Sequence, residues 1–222
     1  MNKKPRELFL KGCNEIAEVM IPQGFKVTQK GQTVSKRSNK DITLQIYFQS
    51  SHYNNESSVT IIPYTTVYSK AVKAFDIKAY KNEYRSGIVW ANQLCYILGS
   101  EYKIWDLAKS NYSQAVSEIQ KALTDKVLPL FDIFCKSPQE ITDYSIEQEL
   151  GISLSYYLVF AEKETAERVF QTNISQSPYK RRYMKLYTDL LSLNEDDINP
   201  NYNEFVGAGD MKMAYLQGLR LK

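Results

Sequence analysis

The sequence predicts an α+β fold: a four-stranded, mostly antiparallel meander sheet with helices on one face, followed by an all-helical extension. Three observations lead to this prediction. Residues 42–49 alternate apolar and polar side chains without a break, as a strand does when one of its faces is buried. Residues 25–69 contain further strand-like segments separated by turn residues. Beyond residue 140, apolar side chains recur at helical spacing instead.

A helix is predicted before the sheet, over residues 5–20. Its apolar side chains, from Leu8 to Met20, recur at intervals of three and four residues. Pro5 stands in the first turn, where a helix tolerates proline, and Pro22 and Gly24 end the helix. We expect its apolar stripe to cover one face of the sheet.

The four predicted strands cover residues 25–29, 33–37, 42–49 and 58–69. The third strand is the best defined, because its core-facing side is uniformly apolar: Ile42, Leu44, Ile46 and Phe48. Pro63 lies inside the fourth strand and cannot donate a ladder hydrogen bond. That strand is therefore expected at an edge of the sheet or with a bulge.

The chain is long enough for two domains, and we predict an α+β domain over residues 1–140 and a helical extension over residues 141–222, packed on it. An amphipathic helix over residues 111–134, kinked near Pro129, closes the first domain. In the extension, Ser177 and Pro178 predict a helix start, because serine can cap the first turn and proline fits in it.

Four short motifs accompany this order of elements: Gly24-Phe25-Lys26, Leu44-Gln45, Ile104 to Ala108, and Leu128 to Phe134. Together they resemble the domain of unknown function 4304 family, which is widespread in bacteria. The resemblance covers residues 1–140, with a departure at Ile104, where the family pattern has a second tryptophan. It implies the fold and a bacterial origin. It implies no catalytic residue, because the motifs are apolar anchors.

The composition predicts a cytoplasmic protein. Cys13, Cys95 and Cys135 are far apart and each stands in an apolar stretch, which indicates buried, reduced thiols and not a disulfide framework. No run of about 18 apolar residues occurs, so no membrane span is predicted.

The residue types that usually carry chemistry are sparse or isolated. His52 is the only histidine and lacks a partner to activate it, so we interpret it as the end of a strand. The acidic run Glu195 to Asp197 is interpreted as a solvated loop, and Asp210 as a helix cap. The sequence therefore predicts no catalytic residue, no metal site and no cofactor.

Two basic clusters offer a nucleic-acid surface as an alternative. The first consists of Lys26, Lys30, Lys36, Arg37 and Lys40, and the second of Lys180, Arg181, Arg182 and Lys185. Tyr179 and Tyr183 flank the second cluster and could stack on bases. Against this, a formal net charge of +3 is small for a phosphate binder, and charges on a hairpin edge also keep it soluble.

The preferred hypothesis is a non-enzymatic module that binds another protein, and an immunity or antitoxin protein is one concrete version. Its predicted contact residues are Thr43, Gln45, Tyr47, Gln49 and Tyr64, on the polar side of the sheet. An alternative is that the helical extension covers this side. Two other classes stay open: an enzyme that uses scattered carboxylates and tyrosines, and a nucleic-acid accessory protein. The sequence predicts no oligomeric state.

Overall fold

The computed structural model describes residues 4–221. The strands are β1 (Lys26–Thr28), β2 (Thr33–Arg37), β3 (Ile42–Ser50), β4 (Thr60–Ser69), β5 (Ile88–Gln93) and β6 (Trp105–Asp106). The helices are α1 (Pro5–Ala17), α2 (Lys70–Tyr80), α3 (Leu94–Ile97), α4 (Tyr112–Ala122), α5 (Leu128–Ile133), α6 (Pro138–Glu147), α7 (Leu154–Phe160), α8 (Lys163–Gln176), α9 (Lys180–Leu190) and α10 (Ala208–Leu216). No helix within residues 4–221 is both long enough and apolar enough to cross a membrane.

The predicted α+β fold is confirmed, with more strands than expected. The antiparallel sheet has the order β1-β2-β3-β4-β5, and β6 also pairs with β4. β5 and β6 are the two strands that the sequence does not predict. Residues 88–93 belong to a short apolar run, in which periodicity does not separate a strand from a helix, and β6 has only two residues.

β4 lies in the interior of the sheet, so of the two predicted arrangements, an edge position or a bulge, the edge position is wrong. Its first residues, Thr60 and Ile61, pair with β6. Further along, the Thr65 hydroxyl donates a 3.0 Å hydrogen bond to the Asn92 carbonyl of β5. Pro63 falls between these two contacts. The residue that cannot donate a ladder hydrogen bond thus lies between the part of β4 that pairs with β6 and the part that contacts β5.

The apolar side of β3 faces the core, as predicted. Its side chains on β3 are all at most 4% exposed: Ile42, Leu44, Ile46 and Phe48. The pairing register adds Val34 and Val27 beside Ile46. Phe25, which precedes β1, stacks on Phe131 of α5 with ring centroids 5.9 Å apart. The helix α5 therefore packs on the residue that leads into β1.

The predicted kink near Pro129 takes the form of a π turn. Residues Leu123–Val127 form this turn between α4 and α5, and Pro129 lies in the first turn of α5. Proline has no N–H to bond to the carbonyl of Asp125, and its ring would clash with that carbonyl in a regular helix. The wider turn removes the clash while the chain stays helical.

The chain divides into two compact units. The first comprises residues 4–68 and 90–136, and it contains the sheet with α1 and α3 to α5. The second comprises residues 69–89 and 137–221, and it contains α2 together with α6 to α10. The second unit is therefore helical and is built from two separate stretches of sequence.

Two helix starts in the second unit follow local rules. Ser137 and Glu140 form a capping box at α6, in which each side chain bonds to the backbone of the other. Ser177, the predicted start signal, accepts a hydrogen bond from the Tyr179 backbone just before α9. Between α9 and α10, the rings of Tyr187 and Tyr215 pack edge to face with centroids 5.9 Å apart.

The three cysteines are free, and one departs from the prediction. Cys13 and Cys95 are buried, and burial raises the pKa of the Cys13 thiol to about 12 despite the nearby Arg6. Cys135 is exposed, so its predicted burial is wrong. The reason is local: the residue before it, Phe134, ends α5 and takes the core position.

Gly12 allows α1 to approach the segment that carries Leu107. A β-carbon at residue 12 would lie 2.6 Å from Cδ1 of the fully buried Leu107. Gly→Ala in a helix ordinarily stabilises by about 1 kcal/mol, but here overpacking should reverse the sign. We expect Gly12→Ala to destabilise the protein by about 1–3 kcal/mol in urea unfolding. The loss should shrink in a Leu107→Val background, and a stabilised single variant would contradict the tight packing.

Candidate functional site

The polar side of the sheet presents ordered rows of side chains. Antiparallel partners point to the same face. The register places Lys26 beside Ser35 and Ser35 beside Gln45, which forms one row across three strands. A second row consists of Thr28, Thr33 and Tyr47. Two residues beyond Ser35, and on the same face, Arg37 pairs with Thr43.

The predicted contact residues lie on this side, and we call them the polar sheet face: Thr43, Gln45, Tyr47, Gln49 and Tyr64. Gln49 is exposed and the other four are half-buried. The alternation of β4 turns Tyr64 away from the buried Ile61 and Pro63. This partial burial could not be predicted from the sequence, because it depends on the neighbouring strands.

Two tyrosine hydroxyls of the polar sheet face accept amide hydrogen bonds. Gln32 Nε2 donates to the Tyr47 hydroxyl at 3.0 Å, and Gln93 Nε2 donates to the Tyr64 hydroxyl at 2.7 Å. Arg6 in turn donates to Gln32 Oε1 at 2.8 Å. These bonds fix the rings in place, so their edges are presented in a defined geometry.

The first basic cluster is divided between the two faces of the sheet. Lys26 lies in a polar row, but Lys36 pairs with Leu44 and its Nζ lies 5.7 Å from the Phe25 ring centroid. The Arg37 guanidinium donates 3.1 Å hydrogen bonds to the carbonyls of Asn39 and Lys40. The cluster therefore does not form one continuous basic stripe.

The second basic cluster has one exposed ring, Tyr179, and one half-buried ring, Tyr183. Tyr183 donates a 2.9 Å hydrogen bond to the Val206 carbonyl and packs against Phe205. Tyr179 is 40% exposed, and the Arg182 guanidinium lies 5.8 Å from its ring centroid. Of the two rings predicted to stack on bases, Tyr183 is thus engaged within the protein.

A cavity in the second unit gathers polar groups that the sequence analysis missed. We call it the Asp76 cavity; its volume is about 410 Å³, and its polar lining includes Asp76, Tyr80, Arg85, Ser153, Ser155 and Asp210. Asp210 lies in the first turn of α10, whose N-cap is Gly207. Its carboxylate accepts a hydrogen bond from the Tyr80 hydroxyl, so its interpretation as a helix cap is wrong.

Burial dominates the electrostatics of the Asp76 cavity. Burial raises the pKa of Asp76, while the Ser155 hydrogen bond and the Arg85 charge oppose the rise and the Asp210 charge adds to it. Burial and Asp210 together raise the pKa of Tyr80, whose ring lies 3.7 Å below the Arg85 guanidinium. The cavity thus holds two carboxylates and one guanidinium.

One sequence signal pointed to this cavity. Val72, Asp76 and Tyr80 recur at four-residue spacing, which is the period of one helix face, and all three are buried on α2. A carboxylate in the middle of an otherwise uncharged face is unusual and marks a site that needs a partner. Its companions on α7 and α10 are distant in the sequence, so no local pattern links them.

The other candidate residues lie where they were expected. His52 is exposed in the turn after β3, and Glu195 to Asp197 are exposed in a short 3₁₀ turn. Within residues 4–221, no three histidine, cysteine, aspartate or glutamate side chains come together to hold a metal ion.

The family motifs act as structural anchors. Trp105 is buried and its indole N–H donates to Glu118 at 3.1 Å. Asp106 accepts backbone hydrogen bonds from Val59 and Ala108, both at 2.8 Å, and so fixes β6 beside β4. Phe134, at the end of the last motif, is fully buried.

The fold and these anchors define an α+β domain whose motifs serve packing. The family named Domain of unknown function (DUF4304) matches residues 16–133, which is more than half of the chain. The chain belongs to this family, so the predicted resemblance is confirmed. No curated protein and no solved structure matches the chain.

Proposed function

We propose that this protein is a non-enzymatic module that binds another protein through the polar sheet face, and that its partner presents an acidic surface. The observation that carries this proposal is the registered pair of rows, Lys26–Ser35–Gln45 and Thr28–Thr33–Tyr47. They place an ammonium group, one amide, hydroxyls and a rigid aromatic ring on one side of a sheet, with the Thr33 hydroxyl buried among them. Tyrosine is a residue type that is enriched in protein interfaces.

The charge around the polar sheet face favours an acidic partner. Residues 26–41 carry five basic side chains and one acidic side chain, Asp41, although Lys36 lies on the core side of the sheet. Lys26 is exposed and lies in a row of the face itself. Complementary charge mainly speeds association and selects the partner, while the central contacts set the dissociation rate. An immunity or antitoxin protein is one form that such a module takes.

The cytoplasm of a bacterium is the compartment that we propose. The three free thiols support it, because reduced cysteines persist in reducing compartments. A nucleic-acid accessory role is the weaker candidate, since Lys36 faces away from Lys26 and Tyr183 is engaged with Val206.

The test is a paired change on the polar sheet face. Tyr47→Ala with Gln45→Ala removes the ring and the amide from adjacent rows, and it should weaken the complex by about thirtyfold or more, the loss typical of interface hot spots. Tyr102→Ala with Gln23→Ala makes the same chemical change at two exposed residues of the same unit and should leave binding intact. Affinity capture at two salt concentrations, followed by titration calorimetry with the captured protein, measures both.

Charge is tested separately. Lys26→Glu should slow association with an acidic partner about tenfold and reduce its dependence on salt, because rim charges act mainly on the association rate. Melting curves of all variants must match the wild type. A complex that survives the Tyr47 and Gln45 changes, or a bound species that nuclease removes, would contradict the proposal.

A further inference from the structure

The Asp76 cavity contains two polar atoms that the fold leaves unsatisfied. Asp76 is only 4% exposed, yet its Oδ1 has no hydrogen-bond partner in the described part of the chain. The Ser153 hydroxyl, which lines the same cavity, is also buried without a partner there. Buried polar atoms are nearly always hydrogen-bonded, so each such atom in a native structure requires an explanation.

The position of Asp76 Oδ1 is held by its surroundings. A hydrogen-bonding interaction with the Ser155 side chain lowers the pKa of the same carboxylate. Asp76 and Tyr80 come from one helix, Ser153 and Ser155 from the start of α7, and Asp210 from α10. Three helices supply these groups, and Asp76 belongs to the lining of a space of about 410 Å³, a size typical of small-molecule sites.

The charges select the chemistry of the ligand. With two carboxylates and one guanidinium, the ionised cavity has an excess of negative charge. An anion would face a buried carboxylate, and a neutral hydroxyl would leave the buried charge uncompensated. A hard divalent cation prefers more oxygen ligands than these two carboxylates provide. A cation that also donates hydrogen bonds would both compensate the buried negative charge and supply a donor to the unsatisfied oxygen.

We infer that the Asp76 cavity binds a small molecule carrying a protonated amine, which donates a charge-assisted hydrogen bond to Asp76 Oδ1 and a second one to the Ser153 hydroxyl. Arg85 lies in the same lining, stacked on Tyr80. It can hold a carboxylate of the ligand if the amine belongs to an amino acid. The shared chemistry is the ammonium group, and its source is either a simple amine or an amino acid.

The experiment is titration calorimetry of the full chain with ethylamine, 1,4-diaminobutane and glycine, and with ethanol as the uncharged counterpart of ethylamine. We expect at least one of the amines to bind and ethanol not to bind. Stronger binding of glycine than of ethylamine, reduced by Arg85→Gln, would identify amino acids as the source. The reverse order would identify simple amines.

Three variants test the residues. Asp76→Asn keeps the size of the side chain and should weaken amine binding by about tenfold or more, since it removes the charge from the hydrogen bond. Ser153→Ala breaks no bond within the described protein and should weaken binding about fivefold. Asp189→Asn, an exposed carboxylate on α9, is the matched control and should bind as the wild type does.

Either of two results would overturn the inference. If none of the three amines binds the wild-type protein, the unsatisfied oxygen does not mark an ammonium site. If Asp76→Asn binds the amines as tightly as the wild type does, the binding lies elsewhere. Circular dichroism of each variant establishes that loss of binding is not loss of the fold.

Discussion

Phe48→Ala is expected to destabilise the sheet unit by about 3–5 kcal/mol, the cost of removing a buried phenylalanine and leaving a cavity. Phe48 is fully buried in β3, and its backbone N–H donates to the Gln32 carbonyl at 2.9 Å. The surrounding strands hold the backbone in place, so the structure has little freedom to collapse into the space. The loss should therefore approach the upper part of that range.

The matched control is the next residue. Gln49 lies on the opposite side of β3 and is exposed, so Gln49→Ala should change stability by no more than about 0.5 kcal/mol. Trp90 and Trp105 are both buried in the first unit, and they are the two tryptophans of the chain. Urea unfolding followed by tryptophan fluorescence thus reports on the sheet. Similar losses for both variants would mean that β3 does not have one buried and one polar side.

Asp76→Asn is expected to make the protein more stable at pH 7, even though it should weaken amine binding. Asp76 is 4% exposed and its Oδ1 lacks a partner in the part of the chain that the structure describes. A buried charged oxygen without a partner costs on the order of 1–3 kcal/mol or more. Asparagine keeps the shape and removes the charge. We expect a gain of about 1–2 kcal/mol.

The gain should depend on pH, because the pKa of Asp76 differs between the folded and unfolded states. Burial raises that pKa above the ordinary value of 3.8; the facing groups Ser155 and Arg85 lower it, and Asp210 raises it. Tyr80, also buried in the cavity, stays neutral because its own pKa is raised. Between 3.8 and the raised value, the folded protein holds a proton that the unfolded chain has lost.

Stability of the wild type therefore falls as the pH rises through this window, by about 1.4 kcal/mol for each unit by which the pKa is raised. Below the window both states are protonated, so Asp76→Asn and the wild type should be nearly equally stable. Above it the asparagine variant should be the more stable. Urea unfolding followed by far-ultraviolet circular dichroism across the window measures the difference.

Asp189→Asn serves again as the control, because its carboxylate is exposed and its loss should leave the pH profile unchanged. If Asp76→Asn were less stable than the wild type at pH 7, this expectation would be wrong. It would mean that the folded protein already compensates the charge, with Arg85 as the cation that acts on it.

The parts of the fold that could be predicted are those with a local period. The alternation from Ile42 to Ser50 determines both the strand and its buried face, because a strand exposes alternate residues. The interior place of β4 could not be predicted, since it depends on β5 and β6, whose sequences are short and lack a distinctive pattern. Pro63 suggested an edge because proline cannot donate a ladder hydrogen bond. That β4 nevertheless has partners on both sides is a property of the assembled sheet.

The candidate sites differ in the same way. The polar sheet face could be predicted, because its members on β3 are two residues apart and share a face by geometry alone. The Asp76 cavity could not, because Asp76, Ser155 and Asp210 meet only after three separate helices pack. Only the spacing of Val72, Asp76 and Tyr80 hinted at a carboxylate inside the protein.

Because the second unit is built from two separate stretches of the chain, its parts are synthesised at different times. Tyr80 and Asp210 are 130 residues apart, so at roughly 5–20 residues per second the ribosome makes the second about 6–26 s after the first. During that interval the sheet unit is complete at residue 136, while α2 still lacks the helices with which it clusters. Nascent chains halted far enough beyond residue 136 for the sheet unit to leave the ribosome, but before the last helices are made, would carry a finished sheet and an α2 without its partner helices. Chaperones that recognise exposed apolar helices would meet the protein at this stage.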